Sequence, residues 1–66
     1  MRLDKLKGKL KEKGVTYQGG ADALGISITS FSNKMNDKQK FTVLEAHSLS
    51  NLLEMTNEEK VSIFLD

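Results

Sequence analysis

Apolar residues recur along the chain at spacings of three and four, which is the periodicity of helices that bury one face. Five segments follow this pattern, and glycines or polar stretches separate them. The pattern predicts helices over 3–13, 17–24, 28–36, 43–54 and 57–65. Strand-like alternation is weak, and proline is absent. We therefore expect an all-α domain, a compact five-helix bundle that occupies residues 1–66.

The predicted helices have recognisable starts and stops. Thr16 and Ser27 precede the second and third helices, where a side-chain oxygen can accept a hydrogen bond from a free backbone N–H. Two later starts have the threonine-to-glutamate spacing of a capping box: Thr42 with Glu45 and Thr56 with Glu59. Gly14 and Gly25 follow the first two helices as stops.

Charge is distributed unevenly along the chain. Residues 1–40 hold nine basic and four acidic side chains, net +5, and residues 41–66 hold one basic and five acidic, net −4. A basic half indicates a surface for an anion such as nucleic acid, although solvated helix faces also carry charge. The lysines of the first helix are expected to be mainly a solvated face.

The residue types point away from catalysis and from cofactors. Cysteine is absent, and the single His47 has no partner for a metal site, so we expect no metal and no cofactor. No catalytic constellation is visible, which argues against an enzyme or a small-molecule substrate. No apolar run approaches the roughly 20 residues of a membrane span, and the charged start is unlike a signal peptide. We expect a cytoplasmic protein without a membrane partner.

Residues 16–36 combine two short helices with a tight turn at 25–27. Gly25 tolerates the positive φ that such a turn requires. Ala21, four residues earlier, leaves space for the second helix to approach. Apolar residues are placed to hold the pair together: Leu24, Ile26, Phe31 and Met35. The arrangement predicts a helix-turn-helix whose second helix, 28–36, enters the major groove of DNA.

The residues that identify this segment are Thr16-Tyr17-Gln18, Ala21, Leu24-Gly25-Ile26-Ser27, Phe31-Ser32, Lys34-Met35-Asn36, and Phe41-Thr42 with Glu45. Together they resemble the helix-turn-helix of the Cro and lambda-repressor family, also called the XRE family. The likeness extends over about 3–55 and is greatest to small Cro-like and repressor proteins of phages of Gram-positive bacteria. It implies a lambda-repressor-like bundle, often dimeric, that binds operator DNA in a bacterial host and regulates transcription.

The resemblance and side-chain chemistry together suggest individual roles. The residues expected to contact bases are Ile28, Thr29, Ser32 and Asn33. The residues expected to contact phosphate are Gln18, Ser27, Lys34, Lys38 and Lys40. An asparagine can bond adenine through two hydrogen bonds, and an isoleucine or threonine methyl can touch that of thymine. Lysine on phosphate adds affinity without sequence information.

The second helix departs from the family pattern at Gly19 and Gly20, where a helix former and a buried aliphatic residue are usual. Two interior glycines cost about 2 kcal/mol relative to alanine. Gly20→Leu is expected to raise the melting temperature if the position is an underfilled part of the core. A lower melting temperature would mean that helix packing needs the bare backbone there.

The apolar run near the C-terminus allows two interpretations, closure of the monomer's core or a dimer surface. We favour a homodimer interface made by Val61, Ile63, Phe64 and Leu65, because two-fold operators require two recognition helices about 34 Å apart. An alternative function is a protein-interaction module on the same fold, such as an antirepressor or the antitoxin of a toxin–antitoxin pair. The acidic C-terminal part, and a recognition helix (28–36) without arginine or glutamine, motivate that alternative.

Overall fold

Five helices and no strand make up residues 1–65, the part of the chain that the computed structural model describes. The helices are α1 (Leu3–Lys13), α2 (Tyr17–Leu24), α3 (Ile28–Met35), α4 (Val43–Leu52) and α5 (Asn57–Phe64). The expected all-α, five-helix architecture is confirmed, and α3, α4 and α5 end one or two residues earlier than predicted. Asp66, the last residue of the expected domain, lies outside the described residues.

Four of the helices begin at the predicted capping residues. The Thr16 hydroxyl accepts a hydrogen bond from the Gly19 N–H at 3.0 Å, and the Ser27 hydroxyl accepts one from the Ser30 N–H at 3.0 Å. Both capping boxes form in full, Thr42 with Glu45 and Thr56 with Glu59. Each of these four helix starts is therefore determined by residues within one turn of it.

Four helices end in the same chain reversal, at a residue with positive φ: Gly14, Gly25, Asp37 and Glu54. In each case the next backbone N–H donates to the carbonyl five residues earlier, at 2.8–3.0 Å, which is the Schellman arrangement. After α1, α2 and α4 that next residue is apolar and packs on the core or within it. After α3 it is Lys38, which is exposed. The segment that follows α3 therefore stays in solvent.

Side chains from all five helices, together with Leu53 and Met55 after α4, form the core. The buried apolar residues are Leu6, Leu10, Ala21, Phe31, Met35, Leu49, Leu53, Met55 and Ile63. The helix α3 packs against α2, α2 against α4, and α1 against α5. Phe31 is fully buried, and the rings of Tyr17 and Phe41 meet it edge-on at centroid distances of 5.4 and 5.9 Å. The core side of α3 is therefore held firmly in place.

Gly20 forms the surface on which the Phe31 ring rests. A Cβ atom at Gly20 would lie 2.6 Å from Cζ and 2.8 Å from Cε1 of Phe31. Since these separations are far below van der Waals contact, the ring already occupies the space of the aliphatic side chain that the family pattern leads one to expect. The position is not underfilled, and of the two outcomes for Gly20→Leu we now expect the lower melting temperature.

The placement of Ile63 corrects one sequence prediction. Its side chain is only 4% exposed and belongs to the core of the monomer. Ile63 therefore closes the core instead of offering a surface to a second copy. Helical geometry explains the difference, because Ile63 lies on the opposite side of α5 from Val61 and Leu65, which are 55% and 79% exposed.

Candidate nucleic-acid interface

One side of α3 is buried and the opposite side faces solvent. Ile28 is 45% exposed, Thr29 is exposed, and Ser32 and Asn33 are partly exposed. Positions 28, 29, 32 and 33 are separated by one, four and five residues, so they share one face of the helix. The four residues expected to face the groove therefore form one continuous surface, the outward face of α3.

The polar groups of this outward face are largely free of competing partners. The Ser32 hydroxyl accepts a long hydrogen bond, 3.3 Å, from the Asn36 amide. Within residues 1–65, the side chains of Thr29 and Asn33 make no hydrogen bond. The Asn33 amide can therefore offer its donor and its acceptor together without breaking an intramolecular bond.

Lys34 does not take the position expected of a phosphate contact. Its Nζ lies 2.5 Å from Oε1 of Glu45 and 5.9 Å from the centre of the Phe41 ring. The side chains of Lys34 and Glu45 are only 11% and 15% exposed. Removing one partner from such a shielded pair is costly, because the other charge loses its compensation. Lys34 is better described as one partner of an ion pair that links α3 to α4 than as a phosphate ligand.

Glu45, the acidic partner in this ion pair, also caps the start of α4. The Oε1 atom of Glu45 also accepts the backbone N–H of Thr42 at 2.9 Å, within the capping box of α4. Burial raises the pKa of Glu45, but the hydrogen bonds from Lys34 and Thr42 outweigh it, so this pKa lies below its usual range. Glu45 therefore remains charged at neutral pH and holds the start of α4 beside the end of α3.

The remaining phosphate candidates all lie on the surface, including Ser27, whose hydroxyl accepts the Ser30 N–H at the start of α3. The Gln18 amide donates to the Asp22 carboxylate at 2.9 Å, and the Lys40 ammonium lies 3.1 Å from the Asp37 carboxylate. All four side chains are exposed, and surface pairs of this kind contribute little to stability. A phosphate can therefore replace the carboxylate partner. Lys38 is exposed and makes no ion pair with another described residue.

The lysines of α1 are divided between two surfaces. Lys5, Lys9 and Lys13, spaced four apart, face the acidic C-terminal part of the chain. Their partners are Ser62 at 2.6 Å for Lys5, Glu12 at 3.0 Å and Glu59 at 2.5 Å for Lys9, and Glu54 at 4.0 Å for Lys13. The basic and acidic halves of the sequence thus partly neutralise each other within the fold. The free positive surface is smaller than the charge count indicates.

An apolar groove of about 370 Å³ lies between the start of α4 and the end of α5. Its apolar lining consists of Met1, Phe41, Val43, Ala46, Val61, Phe64 and Leu65. Three of the four residues expected at a dimer interface are therefore found together here. Sequence reasoning missed Val43, which is 86% exposed; its only signal was an apolar residue outside the buried stripe of its helix.

Across residues 1–65, no group of three His, Cys, Asp or Glu side chains is gathered closely enough to hold a metal ion. None of the five helices is both long and apolar enough to cross a membrane.

No protein-family model, no curated protein and no solved structure matches this chain significantly. The five-helix architecture is therefore established by the helices and contacts of this structure and not by similarity to a known protein. The resemblance to the Cro and lambda-repressor family, the DNA-binding role and the dimer remain predictions.

Proposed function

We propose that this protein is a sequence-specific DNA-binding regulator of transcription, a small Cro-like repressor of a phage or prophage, and that it reads operator DNA with α3. The observation that carries the proposal is the two-sided character of α3. Phe31 and Met35 fix one side in the core, while Thr29 and Asn33 present unpaired polar groups on the other. A rigid helix with free hydrogen-bonding groups fits the major groove, which is about 12 Å wide.

Groups at both ends of α3 are suited to hold the DNA backbone. The starts of α2 and α3, beside Gln18 and Ser27, carry backbone N–H groups that bind phosphate oxygens well. Lys38 and Lys40 follow the other end of α3 on the exposed segment. Contacts of this kind fix the orientation of a recognition helix, while the base contacts supply sequence preference.

The dimensions of the domain favour binding of DNA as a homodimer. The domain measures 28 × 22 × 20 Å, and α3, with eight residues, is only about 12 Å long. One copy therefore covers one half-site, and two recognition helices about 34 Å apart require two copies. We propose that the second copy docks at the apolar groove, because burial of Val61 and Leu65 removes exposed apolar surface from water.

The dimer is tested with two leucines that are equally exposed. Leu65 lies in the apolar groove and Leu44 lies outside it, and both are 79% exposed. Leu65→Ser should shift the protein to monomer in sedimentation equilibrium, whereas Leu44→Ser should not. Equal behaviour of the two variants would remove the groove from the proposal.

DNA binding is tested by selection from a pool of random duplexes at low salt. We expect a palindromic site to be enriched. Asn33→Ala should weaken binding to that site by about 1–3 kcal/mol and binding to random DNA far less. Asn51→Ala, an exposed asparagine on α4, serves as the control and should have little effect on either DNA. Equal losses on both DNAs would show that Asn33 is not a base reader.

The apolar groove also favours one alternative, a protein-interaction module such as an antirepressor or antitoxin. A groove of this size with exposed valine and leucine side chains fits an apolar segment of a partner protein. If no sequence is enriched at low salt, the protein partner becomes the better explanation.

A further inference from the structure

The outward face of α3 contains no positive charge. Lys34 is the only basic residue of the helix, and its ammonium is held by Glu45 with the side chain 11% exposed. Guanine is the base that arginine and lysine read best, through its O6 and N7 acceptors. Since α3 presents neither residue to the groove, it lacks the strongest means of selecting a G·C pair.

The groups that this face does present match the two bases of an A·T pair. Asn33 can donate to N7 and accept from the N6 amino group of adenine through one unpaired amide. Ile28, 45% exposed, and the Thr29 methyl offer apolar contact, and thymine is the only standard base with a methyl in the major groove. The hydroxyls of Thr29 and Ser32 can serve several bases and add little selectivity.

We propose that α3 selects A·T base pairs, with Asn33 reading adenine and the methyl groups of Ile28 and Thr29 reading thymine, because Lys34 is withdrawn into its pair with Glu45. This inference rests on the proposed DNA-binding function and names the class of half-site that function requires. It makes Asn33 and Thr29 the residues that determine specificity.

The first test is the composition of the site enriched from random duplexes. We expect A·T pairs at the positions whose preference disappears in Asn33→Ala or in Thr29→Ser, which keeps the hydroxyl and removes the methyl. If those positions are G·C pairs, the A·T inference is wrong while DNA binding stands. If no sequence is enriched, the inference and the proposed function fail together.

The second test changes single atoms of the enriched DNA and uses the unmodified protein as well as the variants. Replacing thymine by uracil removes the methyl, and replacing adenine by 7-deazaadenine removes N7. We expect replacement of the adenine that Asn33 reads, or of a thymine that Ile28 or Thr29 reads, to weaken binding of the unmodified protein by about tenfold, and the same replacement outside the half-site to have no effect. Asn33→Ala should be insensitive to 7-deazaadenine, and Thr29→Ser should be less sensitive to uracil.

Two results would overturn the inference in this second test. One is an unmodified protein that tolerates both replacements throughout the half-site. The other is an Asn33→Ala variant that loses as much affinity on 7-deazaadenine as the unmodified protein does. Thermal melting of each variant checks that it remains folded, and the DNA replacements give an answer without any substitution in the protein.

Discussion

Replacing Gly20 by alanine, in the middle of α2, should destabilise the protein even though alanine favours helices. In an ordinary helix interior the change gains about 1 kcal/mol. At Gly20, however, the new Cβ would lie 2.6 and 2.8 Å from two atoms of the Phe31 ring. The ring is fully buried between Tyr17 and Phe41, so it has little space into which to move.

The expected size of the effect follows from these two opposing contributions. Overpacking of a well-filled core costs about 1–3 kcal/mol, so the net loss for Gly20→Ala is about 1 kcal/mol. Gly8→Ala is the matched control, because its Cβ would have no neighbour within 4 Å and should gain about 1 kcal/mol. For a domain of this size the two variants should melt about 8–16 °C apart, on opposite sides of the unmodified protein.

Thermal melting followed by circular dichroism, with urea unfolding as a second measure, tests this reasoning. The clash can be isolated in a Phe31→Leu background, where the ring atoms nearest Gly20 are absent. There, Gly20→Ala should lose its penalty and resemble Gly8→Ala. If Gly20→Ala stabilises the unmodified background as much as Gly8→Ala does, the close packing of the ring on α2 is refuted.

Three further predictions concern pH, backbone conformation and salt. Stability should fall as pH drops below about 4.3, because Glu45 and Glu59 have lowered pKa values in the fold and their ion pairs persist only while both carboxylates are charged. Urea midpoints between pH 7 and 2 measure this loss. Glu54→Gly should raise the free energy of unfolding by about 0.5–1 kcal/mol, since Glu54 adopts φ 53°. The logarithm of the DNA-binding constant should fall with the logarithm of salt concentration at a slope of about −4 for a dimer, because each copy would bring two exposed lysines, Lys38 and Lys40, to phosphate, and Lys40 would exchange its surface partner Asp37 for that phosphate.

Each of these has a result that would contradict it. The double variant Glu45→Gln/Glu59→Gln should lose less stability between pH 7 and 2 than the unmodified protein does. If its urea midpoints fall just as much, the acid-induced loss of stability comes from other groups. Glycine at position 54 without any gain in stability would mean that the reversal after α4 is unstrained. A salt slope much steeper than about −8 would mean that the lysines of α1 also contact DNA.

The helix boundaries could be predicted because they depend on neighbours in the chain. Thr16, Ser27 and the two capping boxes act within three residues, and Gly14 and Gly25 supply positive φ at the position where it is needed. The sequence pattern predicted the ends of α3, α4 and α5 less accurately, by one or two residues. Asp37 and Glu54 adopt positive φ without being glycine, so their residue type gave no signal for the exact end.

The outward face of α3 was also predictable, since helical periodicity alone separates Phe31 and Met35 from Thr29 and Asn33. The partners of the charged side chains were not. Lys34 was expected on phosphate because its position in the sequence follows the groove-facing residues. Its withdrawal depends on Glu45, eleven residues away on another helix.

The sequence by itself determined five helices, the capped starts of α2 to α5, and which residues of α3 face solvent, because each depends on backbone hydrogen bonds and side chains within about one turn. Only the tertiary structure decided that Phe31 rests on Gly20, that Ile63 closes the core, and that Lys9 meets Glu59 across fifty positions. Contacts of this second kind depend on how separate helices pack, and the periodicity of one helix carries no information about the side chain that another helix brings against it.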